Sequence, residues 1–166
     1  HLTEDAPRIV LGAEVRYYPG ISRLSGLEQL KIESTNLLLL EMPTSEWTES
    51  TVNELLELAD RRDLTLVLAH IERYWPYQSK SVWNLLYDHN VLMQTNAGFF
   101  LNLGSRHKAF RLLRSGKIQL IGSDCHNMKT RPPRIGKAFE AIHNKFGGDF
   151  VCQMDQFGYS LFTKSE

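Results

Sequence analysis

The chain reads as an α/β fold of parallel β/α units, and three features of the sequence lead there. Apolar runs of strand length recur, at Arg8–Ala13, Leu37–Leu40, Leu64–Ala69 and Ile118–Gly122. Stretches with helical spacing of apolar residues separate most of them. Each run also stops at a side chain able to hold a cation or an anion: Glu14, Glu41, His70 and the segment Ser123-Asp124-Cys125-His126-Asn127. Short buried strands with ligands at their C-terminal ends are how an α/β barrel builds its active-site mouth.

Taken in order, Ile9, Val10, Leu11 and Val15 mark a first strand, ended by Tyr17-Tyr18-Pro19-Gly20. Asn36–Glu41 is a near-continuous apolar run, the pattern of a strand buried on both faces. Thr48–Arg62 is a helix, with Val52, Leu55, Leu56 and Ala59 on one face and Thr48 or Ser50 as cap. Leu64–Ala69 forms the third strand, and Ser81–His89 a helix carrying Val82, Leu85 and Leu86. Val91–Thr95 is the fourth strand, followed by a helix at Ser105–Arg114 that Ser115-Gly116 closes. Lys117–Gly122 is the fifth strand. A last helix runs from about Pro133 to Phe146, with proline near its start and Gly147-Gly148 after its end. Strand, crossover helix and parallel strand in this order give a parallel sheet.

A chain of 166 residues that is 42% hydrophobic can bury a sizeable core, and its length suits one domain over residues 1–166. Nineteen basic and nineteen acidic residues cancel, so nothing favours nucleic acid or an anionic membrane surface as partner. No apolar stretch reaches the roughly 20 residues of a membrane span. Cys125 and Cys152 are too few for a disulfide scaffold and suit a reducing cytosol. The acidic, polar start His1-Leu2-Thr3-Glu4-Asp5 is no signal peptide, and without an initiator methionine the chain reads as trimmed.

The chemistry concentrates at the strand ends. Asp124 and His126, two apart on an extended chain, would point to the same side as a metal-ligand pair; the alternative is a surface loop in which Asp124 caps a turn. His70 alone would read as a core histidine, but Glu14 and Glu41 stand at equivalent strand ends. A carboxylate directly after Leu37-Leu38-Leu39-Leu40 is costly to bury unpaired, so either a cation or an arginine neutralises Glu41. Arg73 and Arg131 suit bidentate grips on phosphate oxygens, with Pro132-Pro133 stiffening the second. Tyr74, Trp75, Pro76 and Tyr77 either line a groove for an aromatic substrate or pack under a loop.

Cys125 and Arg131 have the five-residue spacing of cysteine-dependent tyrosine phosphatases. That chemistry needs a thiolate in a loop whose amides cradle phosphate. Here the thiol stands between Asp124 and His126, and the intervening residues include no glycine. The ligand set instead reads as a metal-dependent phosphoesterase.

The stretches Gly12-Ala13-Glu14-Val15-Arg16-Tyr17-Tyr18, Leu68-Ala69-His70-Ile71-Glu72-Arg73-Tyr74 and Ser123-Asp124-Cys125-His126-Asn127 with Arg131-Pro132-Pro133 carry a family resemblance. The chain resembles the PHP-domain tyrosine-protein phosphatases of the CpsB/YwqE type, over essentially its whole length. The resemblance implies a distorted (β/α)7 PHP barrel, of which this chain is the C-terminal two-thirds or so, without the family's His-x-His strand and first two βα units. It implies Glu14, Glu41, His70, Asp124 and His126 as metal ligands, Glu14 bridging two ions. It implies up to three divalent ions, manganese foremost with iron or zinc as alternatives. Arg73 and Arg131 are the expected phosphoryl-binding catalytic residues. The implied substrate is a phosphotyrosine-bearing protein, a bacterial tyrosine kinase of capsule or exopolysaccharide synthesis, in the cytoplasm. Homo-oligomerisation stays open. Two other readings stand beside this one: a phosphoesterase for a small phosphomonoester, and a non-catalytic binding remnant.

Overall fold

The computed structural model describes residues 9–163. Five strands, β1 (Glu14–Arg16), β2 (Leu37–Glu41), β3 (Thr65–Leu68), β4 (Leu92–Asn96) and β5 (Leu120–Gly122), lie side by side in sequence order, every neighbouring pair parallel. Between and after them come α1 (Glu49–Ala59), α2 (Lys80–Asp88), the short α3 (Gly98–Leu101), α4 (Arg106–Arg114), α5 (Ile135–Phe146) and α6 (Gly148–Thr163). The α/β class and the parallel sheet expected from the sequence are both present.

Consecutive strand order has a consequence. With the right-handed crossover that parallel βαβ units adopt, each connection returns on the same side of the sheet. The side chains divide accordingly. Val15, Leu38, Leu40, Leu66, Leu68 and Met93 belong to one core with Val52, Leu55 and Leu58 of α1 and Trp83 and Leu86 of α2. The alternate positions point to the opposite face, and the register aligns Glu14 with Leu39, Leu39 with Val67, and Val67 with Leu92. That face ends, at the C-terminal edge of the sheet, in Glu41, Asn96 and the residues just past β3 and β5.

Helix boundaries follow local chemistry. Thr48 caps α1 by accepting from the Thr51 N–H, and Ser79 caps α2 by accepting from the Val82 N–H. Gly147 closes α5 at a φ of 90°, a conformation costly for any residue with a Cβ.

The first strand is shorter than the run Ile9–Val15 suggested. Ile9 and Leu11 are exposed, and Leu11 instead exchanges bonds with Glu33: its carbonyl accepts from the Glu33 N–H at 2.7 Å and its N–H donates to the Glu33 carboxylate at 3.3 Å. Pairing with β2 begins only where Glu14 comes opposite Leu39. Helix α6 is an addition, because Gly147-Gly148 ends one helix and starts the next. Its Tyr159 and Phe162 line an open pocket of about 580 Å³ with Leu39, Gly12 and Ile32.

Candidate metal centre

The aromatic segment after β3 prepares the site by packing. Tyr74 is fully buried, stacks with Trp83, and donates its hydroxyl hydrogen to the Ala69 carbonyl. Burial holds that phenol well above its usual pKa, so it remains a donor at any ordinary pH. Trp75 also stacks on Trp83, ring centroids 4.4 Å apart. Pro76 and Tyr77, the other two members of the segment, are exposed. For Tyr74 and Trp75 the packing alternative therefore holds.

With Ala69 fixed, His70 turns out of the strand in a left-handed conformation (φ 36°, ψ 52°). Such a backbone costs a non-glycine residue about 1–3 kcal/mol and persists only where its surroundings over-determine it. The imidazole is almost wholly buried, and its Nε2 lies 3.0 Å from Glu41 Oε1 and 4.0 Å from Glu14 Oε1. One ligand atom from each of Glu14, Glu41 and His70 lies within 4.8 Å of the other two. Two carboxylates and one imidazole suit a divalent cation, and this cluster can hold one.

A second group forms around Asp124. Its backbone is also left-handed, with φ 49°, so the extended geometry expected for the Asp-x-His pair is corrected. The turn brings the two side chains into direct contact, His126 Nε2 lying 3.1 Å from Asp124 Oδ1. Asp124 Oδ2 accepts from Arg73 at 2.5 Å, from the Asn96 amide at 2.9 Å and from Arg131. Burial works against the charge of this carboxyl, but the His126 hydrogen bond and the two guanidinium groups outweigh it and hold its pKa below the ordinary value. Arg73 joins the two groups: its other terminal nitrogen lies 3.4 Å from Glu41. The arginine partner expected as the alternative for Glu41 is thus present beside the histidine.

Arg131 reaches Asp124 because its loop folds back. The Asn127 side-chain oxygen accepts from the N–H groups of Lys129, Thr130 and Arg131, while the Arg131 carbonyl accepts from His126 and Asn127. Five backbone amides are spent inside the loop, where a cysteine phosphatase would aim them at phosphate. Cys125 itself is exposed, its sulfur 3.8 Å from the Asn127 carbonyl. The geometry does not build a thiolate cradle.

Comparison with known proteins places the chain in a family. The sequence profile of the capsular polysaccharide synthesis family CpsB/CapC matches residues 3–156. The chain belongs to the CpsB/CapC family. It is 27% identical to the tyrosine-protein phosphatase CpsB of Streptococcus agalactiae serotype V, over 89% of this chain and 64% of that protein. It is 27% identical to the tyrosine-protein phosphatase YwqE of Bacillus subtilis strain 168, over 93% of this chain and 63% of YwqE. To CpsB of Streptococcus pneumoniae it is 29% identical, over 84% and 61%. The fold matches a crystal structure from work on YwqE of Bacillus subtilis and CpsB of Streptococcus pneumoniae, described there as metal-dependent tyrosine phosphatases. The TM-score is 0.77 at 20% identity, covering 93% of this chain and 64% of the other. The chain thus spans less than two-thirds of the length of these relatives.

Within this CpsB/CapC chain, four supporting residues escaped the sequence reading. Gln94, Asn96, Glu72 and Asn127 contact or orient the residues named above. Glu72 is largely buried. Burial raises its pKa, while its carboxylate accepts from Thr95 Oγ1 at 2.6 Å and from the Asn96 N–H at 3.3 Å. The available signal was the alternation Leu92-Gln94-Asn96, which places amides on a sheet face that is apolar in β2. Asn127 ahead of a proline-terminated loop was readable as a side-chain-capped turn. Among the described residues no helix is long and apolar enough to cross a membrane.

Proposed function

We propose that this protein is a metal-dependent tyrosine-protein phosphatase that hydrolyses phosphotyrosine on a protein, a bacterial tyrosine kinase of capsule or exopolysaccharide synthesis. The single observation that carries the proposal is the linkage of two groups through Arg73: Glu14, Glu41 and His70 on one side, Asp124, His126 and Arg131 on the other. Glu14, Glu41, His70, Asp124 and His126 are the proposed metal ligands, and manganese is the proposed ion, with iron or zinc as alternatives and up to three ions in all. The five β/α units form an arc of a distorted (β/α)7 PHP barrel in a single domain; their consecutive order supports this. The cytoplasm is the proposed compartment.

A bound divalent cation supplies Lewis acidity, which activates water and offsets phosphoryl charge. The chain's own residues do the rest. Arg73 and Arg131 already converge on a single carboxylate oxygen, so they can converge on one phosphoryl group. Guanidinium forks match phosphate oxygens two at a time and stay charged throughout, which suits a transition state with charge spread over those oxygens. His126 keeps Asp124 oriented, and Asn127 keeps Arg131 folded over the site. Tyrosine is a fairly good leaving group, so little proton donation is needed.

The test is hydrolysis of a phosphotyrosyl peptide with manganese, with a chelator, and after thiol alkylation. Activity abolished by the chelator, restored by manganese and indifferent to alkylation is the expected result. Loss on alkylation alone would return the chemistry to Cys125. Turnover of small phosphomonoesters without peptide turnover would favour a metabolite substrate, and tight peptide binding without turnover would favour a binding role.

A further inference from the structure

The amide of Gln94 serves no role in the chemistry above, yet its oxygen is spent on the site. Gln94 lies on β4, on the sheet face that ends in Asn96. Its Oε1 accepts from the backbone N–H of His70 at 2.5 Å, and its Nε2 donates to the Thr95 carbonyl at 2.9 Å. The left-handed turn at His70 takes that N–H off the sheet ladder, where Ala69 still donates to Leu40. Left unpaired, the N–H would be an orphaned donor beside a buried ring. Gln94 therefore satisfies the one donor that the strained turn releases.

The neighbouring strand is built around this amide. Gly122 of β5 has no positive φ, so backbone freedom does not explain its glycine. Space does. A Cβ on Gly122 would lie inside van der Waals contact with the Gln94 amide nitrogen, and its next nearest neighbour would be the Gln94 amide carbon, at 3.2 Å. Two strands thus contribute to one feature, β4 the amide and β5 the room for it.

We infer that Gln94 is a positioning residue for His70, locking the left-handed turn that aims the imidazole at Glu14 and Glu41, and that Gly122 is glycine to leave the amide in place. Groups one step behind metal ligands orient them, and losing one weakens metal binding by about 10–100-fold. The inference rests on the metal reading of this cluster.

The experiment uses Gln94→Ala, Gly122→Ala and the double variant, each shown by circular dichroism to be folded. Two quantities are measured: Mn²⁺ affinity by calorimetry, and the hydrogen-exchange rate of the His70 amide by NMR without metal. Each single variant weakens Mn²⁺ binding about 10–100-fold and speeds His70 amide exchange. The double variant binds Mn²⁺ no more weakly than Gln94→Ala alone, because the alanine at 94 removes what the new Cβ strikes. A merely structural role would make the two losses add. Unchanged His70 exchange in Gln94→Ala overturns the inference, as does unchanged Mn²⁺ affinity with faster exchange or a summed loss in the double variant. Failure of the wild-type protein to bind Mn²⁺ sinks the metal reading instead, and the exchange rates then decide the hold on His70 by themselves.

Discussion

At the scale of single residues, the site is an arrangement of charges that would repel or be stranded if taken one at a time. Asp124 is held by three donors plus His126, and two of those donors are permanent cations. Replacing Arg73 or Arg131 with alanine should lower kcat/KM on a phosphotyrosyl peptide by about 10²–10³ or more, the scale of losing one transition-state anion donor. Calorimetry should find Mn²⁺ still bound; an unchanged kcat/KM would remove these side chains from the mechanism. Asp124 also gives a pH prediction. Its folded-state pKa lies below the ordinary 3.8, so its ionised form stabilises the fold above that value. That contribution is lost as pH falls through 3.8 toward the lower folded value. Asp124→Asn should therefore melt below wild type at pH 7, the gap narrowing through about pH 4 and below. A gap that is constant with pH, followed by thermal melts, would show that the charge is not what matters.

At the scale of elements, β3 and β5 use one device twice. Each strand ends, passes through one residue, and then turns left-handed at the next, His70 after Leu68 and Asp124 after Gly122. Strand β4 lies between them and offers one amide to each, Gln94 to His70 and Asn96 to Asp124. Asn96→Leu keeps the size but removes the donor to Asp124, and should lower kcat/KM about 10–100-fold while the fold persists by circular dichroism. Kinetics equal to wild type would mean that the arginines alone orient Asp124. Beneath these ends the sheet needs its helix-facing residues. Leu40 is fully buried in β2, beside Glu41, so Leu40→Ala should cost about 2–5 kcal/mol in a urea titration. A cost under about 1 kcal/mol would indicate that the site end of β2 is loosely packed.

At the scale of the whole molecule, sequence-order strands bring to one edge residues that lie far apart in the chain. Glu41 and His70 meet across 29 positions, and Arg73 and Asp124 across 51. A cation gripped by Glu14, Glu41 and His70 ties β1, β2 and the turn after β3 together in the folded state alone. Mn²⁺ at 100 times its Kd should therefore add about 2.7 kcal/mol, or roughly 5–10 °C in Tm for a chain of this size. A chelator should reverse the gain, and scanning calorimetry with and without the metal would measure it. A Tm indifferent to Mn²⁺ would mean that the cluster is held by Arg73 and its hydrogen bonds without a cation.

Local pattern alone settled the alternation of strands and helices, the parallel sheet, and the strand ends where Glu41, His70 and Asp124 stand; Glu14, expected to close a strand, instead opens β1 opposite Leu39. Those features depend on periodicity, caps and turn residues a few positions apart, and these are written in order along the chain. Tertiary structure decided what the pattern could not. It shortened the first strand, because Leu11 bonds to Glu33 and not to β2. It turned His70 and Asp124 left-handed, made Arg73 the link between two groups, and placed the Gln94 amide in the space above Gly122. Each of these depends on which residues come opposite one another when strands pair in register, a property of distance through space that no short stretch of sequence contains.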